Sequence, residues 1–229
     1  MQERIAAASL RSGRKPEEIT LLAVSKTFPP GQIHAAYDAG LRVFGENRVQ
    51  EFSGKASALR DLREAEWHMI GHLQTNKVAQ AAELFSHIDS VDSVRLARKL
   101  NSAAIDLGKK IPVLIEINIG AEAAKSGVEP NATELEDLLN AAPELPSLDF
   151  RGLMTVPPFS DNPEQSRPYF RKMRELFHYI ATREVPPVHM EILSMGMSHD
   201  YDIAIEEGAT CIRIGTAIFG KRESLGSKL

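Results

Sequence analysis

Eight short apolar runs recur along this chain, and a segment with helical spacing follows almost every one of them. The runs hold five to nine residues, which is too short for a buried helix but normal for a strand that is buried on both faces. They cover residues 21–27, 41–47, 66–71, 87–91, 112–119, 148–156, 189–194 and 211–219. Regular alternation of this kind predicts a parallel α/β sheet.

The intervening segments carry apolar residues three and four positions apart, which predicts seven helices between the strands. Ser93, Asn131 with Glu134, and Asn162 with Pro163 are the predicted N-terminal caps. Eight strands without a change in composition favour one closed (β/α)₈ TIM barrel over an open doubly wound sheet. The 229 residues also suit that fold, since such barrels have about 250 residues.

We therefore predict a single domain over residues 1–229, with a leading helix at residues 1–13 and the barrel at residues 19–220. Only ten residues follow Phe219, too few for a full eighth helix. We expect the leading helix to help cover the region near the barrel ends instead.

Charge and cysteine content narrow the class of partner. The net charge is -4 and the pI is near 6.0, so there is no basic field for a nucleic acid or an acidic membrane. The one cysteine, Cys211, lies inside an apolar run, which predicts a buried, reduced thiol. No apolar run reaches the roughly 18 residues of a membrane span. We expect a cytoplasmic protein that binds a small molecule or another protein.

Lys26 ends the first strand. Burial of its ammonium group is costly unless the group is paired or its pKa falls, so Lys26 either reaches solvent or takes part in chemistry. In a barrel the functional groups lie at the carboxyl ends of the strands, and phosphate is often bound by the loops after strands 7 and 8. Closure of the barrel makes strand 1 the neighbour of strand 8.

Those last loops have the composition of an anion site. The run Ser194-Met195-Gly196-Met197-Ser198 precedes a helix, while Gly215 and Thr216 follow in the neighbouring strand. Backbone N–H groups and hydroxyls at such a place suit a phosphate monoester. The alternative is that the glycines only form turns and the serines only cap. A lysine beside a phosphate would serve as a charge partner or form a Schiff base with a phosphorylated aldehyde.

Seven ordered motifs span nearly the whole chain. They are LLAVSKT (21–27), FGENRVQE (44–51), WHMIGHLQTNK (67–77), KSG (125–127), RGLMT (151–155), SMGMS (194–198) and RIGTAIFG (213–220). Together they resemble the pyridoxal-phosphate homeostasis proteins, which are similar to the barrel domain of alanine racemase. The leading segment is about ten residues shorter than is usual in that family, and Arg48 stands where an aromatic residue is frequent.

The resemblance implies pyridoxal 5'-phosphate (PLP) as the cofactor, bound to Lys26 as a Schiff base. It also implies that Ser198, Gly215 and Thr216 hold the phosphate, that Arg213 faces the pyridine nitrogen and that Asn47 lies near the ring. We include Ser194, Met195 and Gly196 among the predicted cofactor-binding residues because they form the same loop. No catalytic residue and no metal ligand is assigned.

An arginine at the pyridine nitrogen limits the amino-acid chemistry that PLP can support. A carboxylate at the ring nitrogen would keep it protonated and make PLP a strong electron sink, whereas a guanidinium cannot accept that proton. Racemisation also needs a second acid or base, which alanine racemase supplies from a separate C-terminal domain. We expect a monomeric carrier that buffers PLP, delivers it to apo forms of PLP-dependent enzymes and so serves vitamin B6 and amino-acid homeostasis. The alternative is a small PLP-dependent amino-acid racemase.

Other polar groups receive simpler interpretations. His68 and His72 flank a strand end, where residues four apart do not converge on one metal. Lys77 and Lys125 are expected on the solvated surface, with Lys125 as an alternative secondary site for the aldehyde. The basic residues of 167–174 are interpreted as the solvent-exposed face of a helix, and the alternative is a surface that binds a partner protein. Glu46 and Glu116 are expected in structural salt bridges.

Overall fold

Each of the eight apolar runs contributes one strand to a closed parallel barrel. The computed structural model describes residues 1–183 and 185–220. The strands are β1 (Thr20–Val24), β2 (Val43–Glu46), β3 (Glu66–Met69), β4 (His87–Val91), β5 (Ile111–Ile117), β6 (Leu148–Thr155), β7 (Ile192–Ser194) and β8 (Cys211–Ile214). They lie in chain order around the barrel, and β1 closes it by pairing with β8 from Thr20↔Cys211 to Ala23↔Ile214. The predicted fold class is confirmed.

Helices follow the strands on the outside of the barrel. They are α1 (Gln2–Arg11), α2 (Pro30–Asp38), α3 (Val49–Ala56), α4 (Val78–Leu84), α5 (Val94–Asp106), α6 (Thr133–Ala141), α7 (Arg167–Thr182), α8 (Tyr201–Glu206) and α9 (Thr216–Phe219). Within the described ranges, none of them combines the length and apolar character needed to cross a membrane.

Two apolar regions stabilise the barrel. The larger one lies between the sheet and the helices and includes Phe44, Phe150 and Phe170, each almost fully buried. A smaller cluster contains Leu22, Val24 and Cys211. Cys211 is 4% exposed, and burial raises the pKa of its thiol to about 12, so the predicted buried thiol is confirmed.

The eighth strand is shorter than predicted. It ends at Ile214, and the apolar residues that follow form the short helix α9. Gly215 starts that turn, because its carbonyl accepts the N–H groups of Ile218 and Phe219 at 2.9 and 3.0 Å. A short apolar run does not distinguish strand from buried helix by itself. Phe219 then stacks on Phe28 at 4.8 Å between ring centroids, across the end of β1.

Two of the three predicted N-terminal caps form a side-chain cap bond, and the third does not. Ser93 Oγ accepts the N–H of Leu96 at 3.3 Å, as predicted for α5. Asn162 Oδ1 accepts the N–H of Glu164 at 3.1 Å, although it caps a 3₁₀ turn that precedes α7. The prediction for Asn131 was wrong: α6 begins at Thr133, with no side-chain cap bond at its N-cap, Ala132.

The leading helix α1 packs along α8, on the outside of the barrel. Ile5 and Ala8 are buried there, and Arg4 and Arg11 pair with Asp202 and Glu206 at 2.9 and 2.7 Å.

The basic face of α7 is tied to the end of α8 as well. The buried Glu207 carboxylate accepts ion pairs from Arg167, Arg171 and Arg174 at 3.1 to 3.4 Å. These arginines therefore join two helices of the barrel.

Candidate functional site

Lys26 lies in a tight turn directly after β1, at the carboxyl end of the barrel. It is half-buried, and the next residue, Thr27, has a φ of 68°. A β-branched residue rarely adopts that left-handed conformation, so neighbouring contacts must hold the turn. The N–H of Phe28 donates to the carbonyl of Ser25 at 3.2 Å, and the N–H of Thr27 donates to the carboxylate of Glu51.

A buried lysine beneath the turn supplies further support. Lys55, on α3, is 7% exposed and its Nζ donates to the carbonyls of Ser25 and Phe28 at 3.0 and 3.4 Å. The same Nζ lies 2.8 Å from Oε1 of the fully buried Glu46, which also accepts the hydroxyl of Ser25. Burial raises the pKa of Glu46, while Lys55 lowers it. The salt bridge predicted for Glu46 is therefore present.

Five of the predicted site residues share one cavity at the mouth. Its volume is about 270 Å³, and Lys26, Ser198, Arg213, Gly215 and Thr216 line it. Aromatic rings of Phe28, Phe159 and His199 complete its wall. Since β1 and β8 are paired neighbours, barrel closure brings the amine from the first strand to the loops after the last two.

The loop after β7 is shaped by one glycine and one buried carboxylate. Gly196 has a φ of 92°, and a Cβ there would lie 2.5 Å from Cβ of Ala204. Asp200 is fully buried; its Oδ1 accepts the N–H of Met197 at 2.7 Å and its Oδ2 accepts the hydroxyl of Ser166 at 3.0 Å. These contacts fix the backbone that presents Ser198 to the cavity.

Arg213 projects from β8 and is 4% exposed. Its Nη1 donates to the hydroxyl of Ser194 and its Nη2 to the carbonyl of Thr155, both at 2.7 Å. Burial lowers the pKa of Arg213, but a guanidinium starts so high that it keeps its proton. The cavity thus holds a permanent cation in a fixed orientation.

The remaining predicted residues lie around this cavity. Ser194 is fully buried and acts through its bond to Arg213, while the carbonyl of Gly196 accepts the N–H of Arg213 at 3.0 Å. The side chain of Met195 is buried in the main core. Asn47 lines an adjoining groove with Gly71 and His72, and its Oδ1 is buried without a hydrogen-bond partner among the described residues.

Glu116, on β5, carries a second unusual carboxyl group near the mouth. Its Oε2 is buried and has no hydrogen-bond partner in the described part of the chain. Burial raises the pKa of Glu116 to about 7; Asp92 raises it further, whereas Arg213 and His72 lower it. Unlike Glu46, Glu116 forms no salt bridge among residues 1–183 and 185–220.

Substitution of Glu116 by glutamine is expected to flatten part of the pH dependence of stability. The folded chain binds this proton more tightly than the unfolded chain, whose ordinary pKa is 4.5. Its contribution to stability is therefore fully present below about pH 4.5 and is lost as the pH rises through about 7. Glu116→Gln should raise the free energy of unfolding by about 1–3 kcal/mol at pH 8 and hardly change it at pH 4.

Urea denaturation of the cofactor-free protein between pH 4 and 8 measures this effect. The exposed Glu129 provides a matched control, because Glu129→Gln should follow the wild-type profile. An unchanged profile in Glu116→Gln would contradict the assigned pKa.

The other polar candidates lie apart from the Lys26 cavity. Lys125 Nζ donates to the carbonyl of Pro157 at 3.1 Å and pairs with Glu122. Lys77 borders the groove that contains Asn47. His68 contacts Asp89 and His72 contacts Asp92, so the two histidines face different carboxylates.

Sequence reasoning missed four residues that shape the site. Glu51 and Lys55 are spaced four apart, on one face of α3, and both contact the Lys26 turn. Asp200 and His199 follow directly after the predicted loop. A glutamate and a lysine at helical spacing just after the second strand were the available signal, but their contacts with the Lys26 turn depend on how α3 packs.

The geometry can be compared with known proteins. A profile of the alanine racemase N-terminal domain matches residues 6–223. The pyridoxal phosphate homeostasis protein of Aquifex aeolicus is 49% identical over 221 residues, covering 96% of this chain and 95% of that protein. The protein of the same name from Escherichia coli K12 is 44% identical over 225 residues, covering 97% and 94%.

Solved structures show the same similarity at the level of the fold. PipY of Synechococcus elongatus PCC7942, solved with PLP bound, has a TM-score of 0.82 at 38% identity and covers 96% of this chain and 99% of PipY. Alanine racemase from Streptomyces coelicolor shares the fold with a TM-score of 0.70 at 20% identity, and the match covers 96% of this chain and 58% of the racemase. With its closed barrel and its full-length similarity to these relatives, the chain belongs to the pyridoxal phosphate homeostasis protein family, on the fold of the alanine racemase N-terminal domain.

Proposed function

We propose that this protein binds PLP through Lys26 and holds it for release, contributing to control of the free PLP level, without substantial amino-acid turnover of its own. The observation that carries the proposal is the cavity of about 270 Å³ in which the Lys26 amine, the Arg213 cation and the Ser198 and Thr216 hydroxyls meet. The PLP-bound structure of PipY and the names of the two bacterial relatives support the same assignment.

The residues present fit PLP in chemistry. PLP needs an amine for its aldehyde, hydroxyl or N–H donors for its phosphate and a group that faces its ring nitrogen. Lys26 supplies the amine, and Ser198, Gly215 and Thr216 supply the donors. The buried contacts of Asp200 hold the loop backbone in place, so the phosphate site is organised before the ligand arrives.

Arg213 determines how reactive the bound cofactor can be. PLP, when bound, supplies an aldehyde and a ring that withdraws electrons most strongly with its nitrogen protonated. A guanidinium donates hydrogen bonds and cannot take up that proton, and the bonds to Ser194 and Thr155 hold it in one orientation. This residue therefore favours cofactor retention over carbanion chemistry.

The racemase alternative requires a second acid or base besides Lys26. Among the described residues that line the cavity, His199 contributes an imidazole, the side chain that most often serves as a general acid or base. Its ring lies 3.5 Å from the Asp200 carboxylate.

We further propose that the protein delivers PLP to apo forms of PLP-dependent enzymes. We also propose that it is monomeric and that it lies in the cytoplasm.

Two measurements test the proposed function. PLP is titrated into the apo protein and followed by the visible Schiff-base absorption, and the loaded protein is then incubated with D- or L-alanine in deuterated water. We expect one PLP bound per chain, seen as a yellow protein. We expect no more exchange of the alanine α-proton than free PLP produces.

The two possible failures separate the parts of the proposal. Absence of stoichiometric PLP binding would overturn the proposal as a whole. Rapid α-proton exchange would instead replace the carrier by the racemase alternative, and its loss in His199→Ala would identify the second proton-transfer group.

A further inference from the structure

The amino-terminal end of the barrel, opposite the Lys26 cavity, contains a cluster of imidazole and carboxylate groups. Glu66 and His68 lie two apart on β3, and His87 and Asp89 lie two apart on β4, so each pair lies on one face of its strand. The strand register places His68 directly beside His87. A cavity of about 410 Å³ reaches His68, His87 and Asp89, with Cys211 also in its lining.

The two imidazole rings are stacked. Their centroids are 4.0 Å apart and the planes differ by 4°. His68 is 8% exposed and its Nδ1 lies 3.0 Å from Asp89 Oδ2, whereas His87 is half-buried. The bond to Asp89 orients His68, while His87 is accessible from outside.

One nitrogen in this cluster makes no hydrogen bond among the described residues. It is the buried Nε2 of His68, which lies 3.9 Å from Glu66 Oε2. An unsatisfied polar atom in a buried position costs free energy, and the bond from Nδ1 to Asp89 holds the ring in an orientation that leaves Nε2 on the side of Glu66. The donor atoms of Glu66, His68 and His87 all lie within 4.8 Å of one another.

We propose that Glu66, His68 and His87 bind a divalent transition-metal ion, of the zinc class, at the amino-terminal end of the barrel. Two imidazoles and one carboxylate form a ligand set suited to zinc, with water in the remaining position. Asp89 completes the arrangement, because metal-bound histidines generally donate their other ring N–H to a carboxylate. The site is distinct from the PLP cavity and does not depend on the proposed function.

Metal binding requires a local movement and the release of a proton. Lone pairs on parallel rings cannot both point at one ion, so His87 must tilt out of the stack. Each imidazole coordinates an ion through a ring nitrogen that carries no proton, so a proton on that nitrogen is released when the ion binds.

Titration with cobalt and zinc tests the site directly. Chelator-stripped protein is titrated with Co²⁺ and followed by its visible d–d absorption, and with Zn²⁺ by calorimetry. We expect one ion per chain, and we expect nitrogen-15 shifts of the His68 and His87 imidazoles in NMR spectra on addition of Zn²⁺.

Three variants distinguish this site from incidental binding. His87→Ala and Glu66→Gln change accessible side chains, so the fold should persist, and each should weaken zinc binding at least about 100-fold. His178→Ala removes an exposed histidine on α7 and should bind like wild type. Absence of a stoichiometric ion in the wild type, or wild-type affinity in His87→Ala and Glu66→Gln, overturns the proposal.

Discussion

Replacement of Lys26 by alanine is expected to abolish covalent PLP binding and to weaken total PLP binding at least about 100-fold, equivalent to almost 3 kcal/mol. Lys26 is the lysine that lines the cavity with Arg213, Ser198 and Thr216, and a Schiff base requires its amine. Visible absorption of the PLP-loaded protein measures the effect, and borohydride reduction followed by peptide mass spectrometry locates the adduct.

Matched controls come from the other lysines near the mouth. Lys125→Ala and Lys77→Ala should keep the colour and the adduct on Lys26. The Lys125 amine is already held by the Pro157 carbonyl and Glu122, so we expect no adduct there. A yellow Lys26→Ala protein with PLP fixed to Lys125 would show that the aldehyde site has been assigned to the wrong lysine.

Replacement of Lys55 by methionine is expected to lower the free energy of unfolding by about 3 kcal/mol, because it leaves the buried Glu46 carboxylate without its cation. The Lys55 ammonium also holds the carbonyls of Ser25 and Phe28, which flank Lys26. The same variant should therefore bind less PLP at a given concentration even where it is fully folded. Urea denaturation gives the first effect, and absorbance titration at low temperature gives the second.

A double variant separates charge from packing. Glu46→Gln combined with Lys55→Met removes both charges and should recover a large part of the lost stability, because no buried carboxylate is left unpaired. Lys99→Met changes an exposed lysine on α5 and should alter stability by less than about 0.5 kcal/mol. If Lys55→Met proved as stable as Lys99→Met, the buried ion pair would have no structural role.

Much of the fold could be read from local patterns. Parallel strands buried on both faces leave nearly continuous apolar runs, so β4 and β5 were predicted within two residues of their observed bounds. The predicted end of the eighth strand was wrong because Gly215 starts a helical turn inside an apolar stretch. The predicted cap at Asn131 was wrong because α6 starts later, at Thr133.

The site was predictable only in part. Lys26, Ser198, Arg213, Gly215 and Thr216 follow from strand ends and from the motifs, and the structure brings these five together. The orienting partners of Arg213 were not predictable from spacing, since Thr155 is 58 residues away in the chain. Lys55 was missed for the same reason, since it contacts Ser25, 30 residues away. Asp200 bonds to the nearby Met197, but its second contact, with Ser166, is 34 residues away.

The sequence by itself determined the number and order of strands and the position of a lysine at the end of the first one. The reason is that a strand buried on both faces consists almost entirely of apolar residues, which form a recognisable run. Tertiary structure alone decided that Ser194 and Thr155 orient Arg213, that Lys55 neutralises Glu46 beneath Lys26 and that His68 stacks on His87 at the other end. Those contacts depend on barrel closure and strand register, which follow from the packing of the whole chain and leave no mark at any single position.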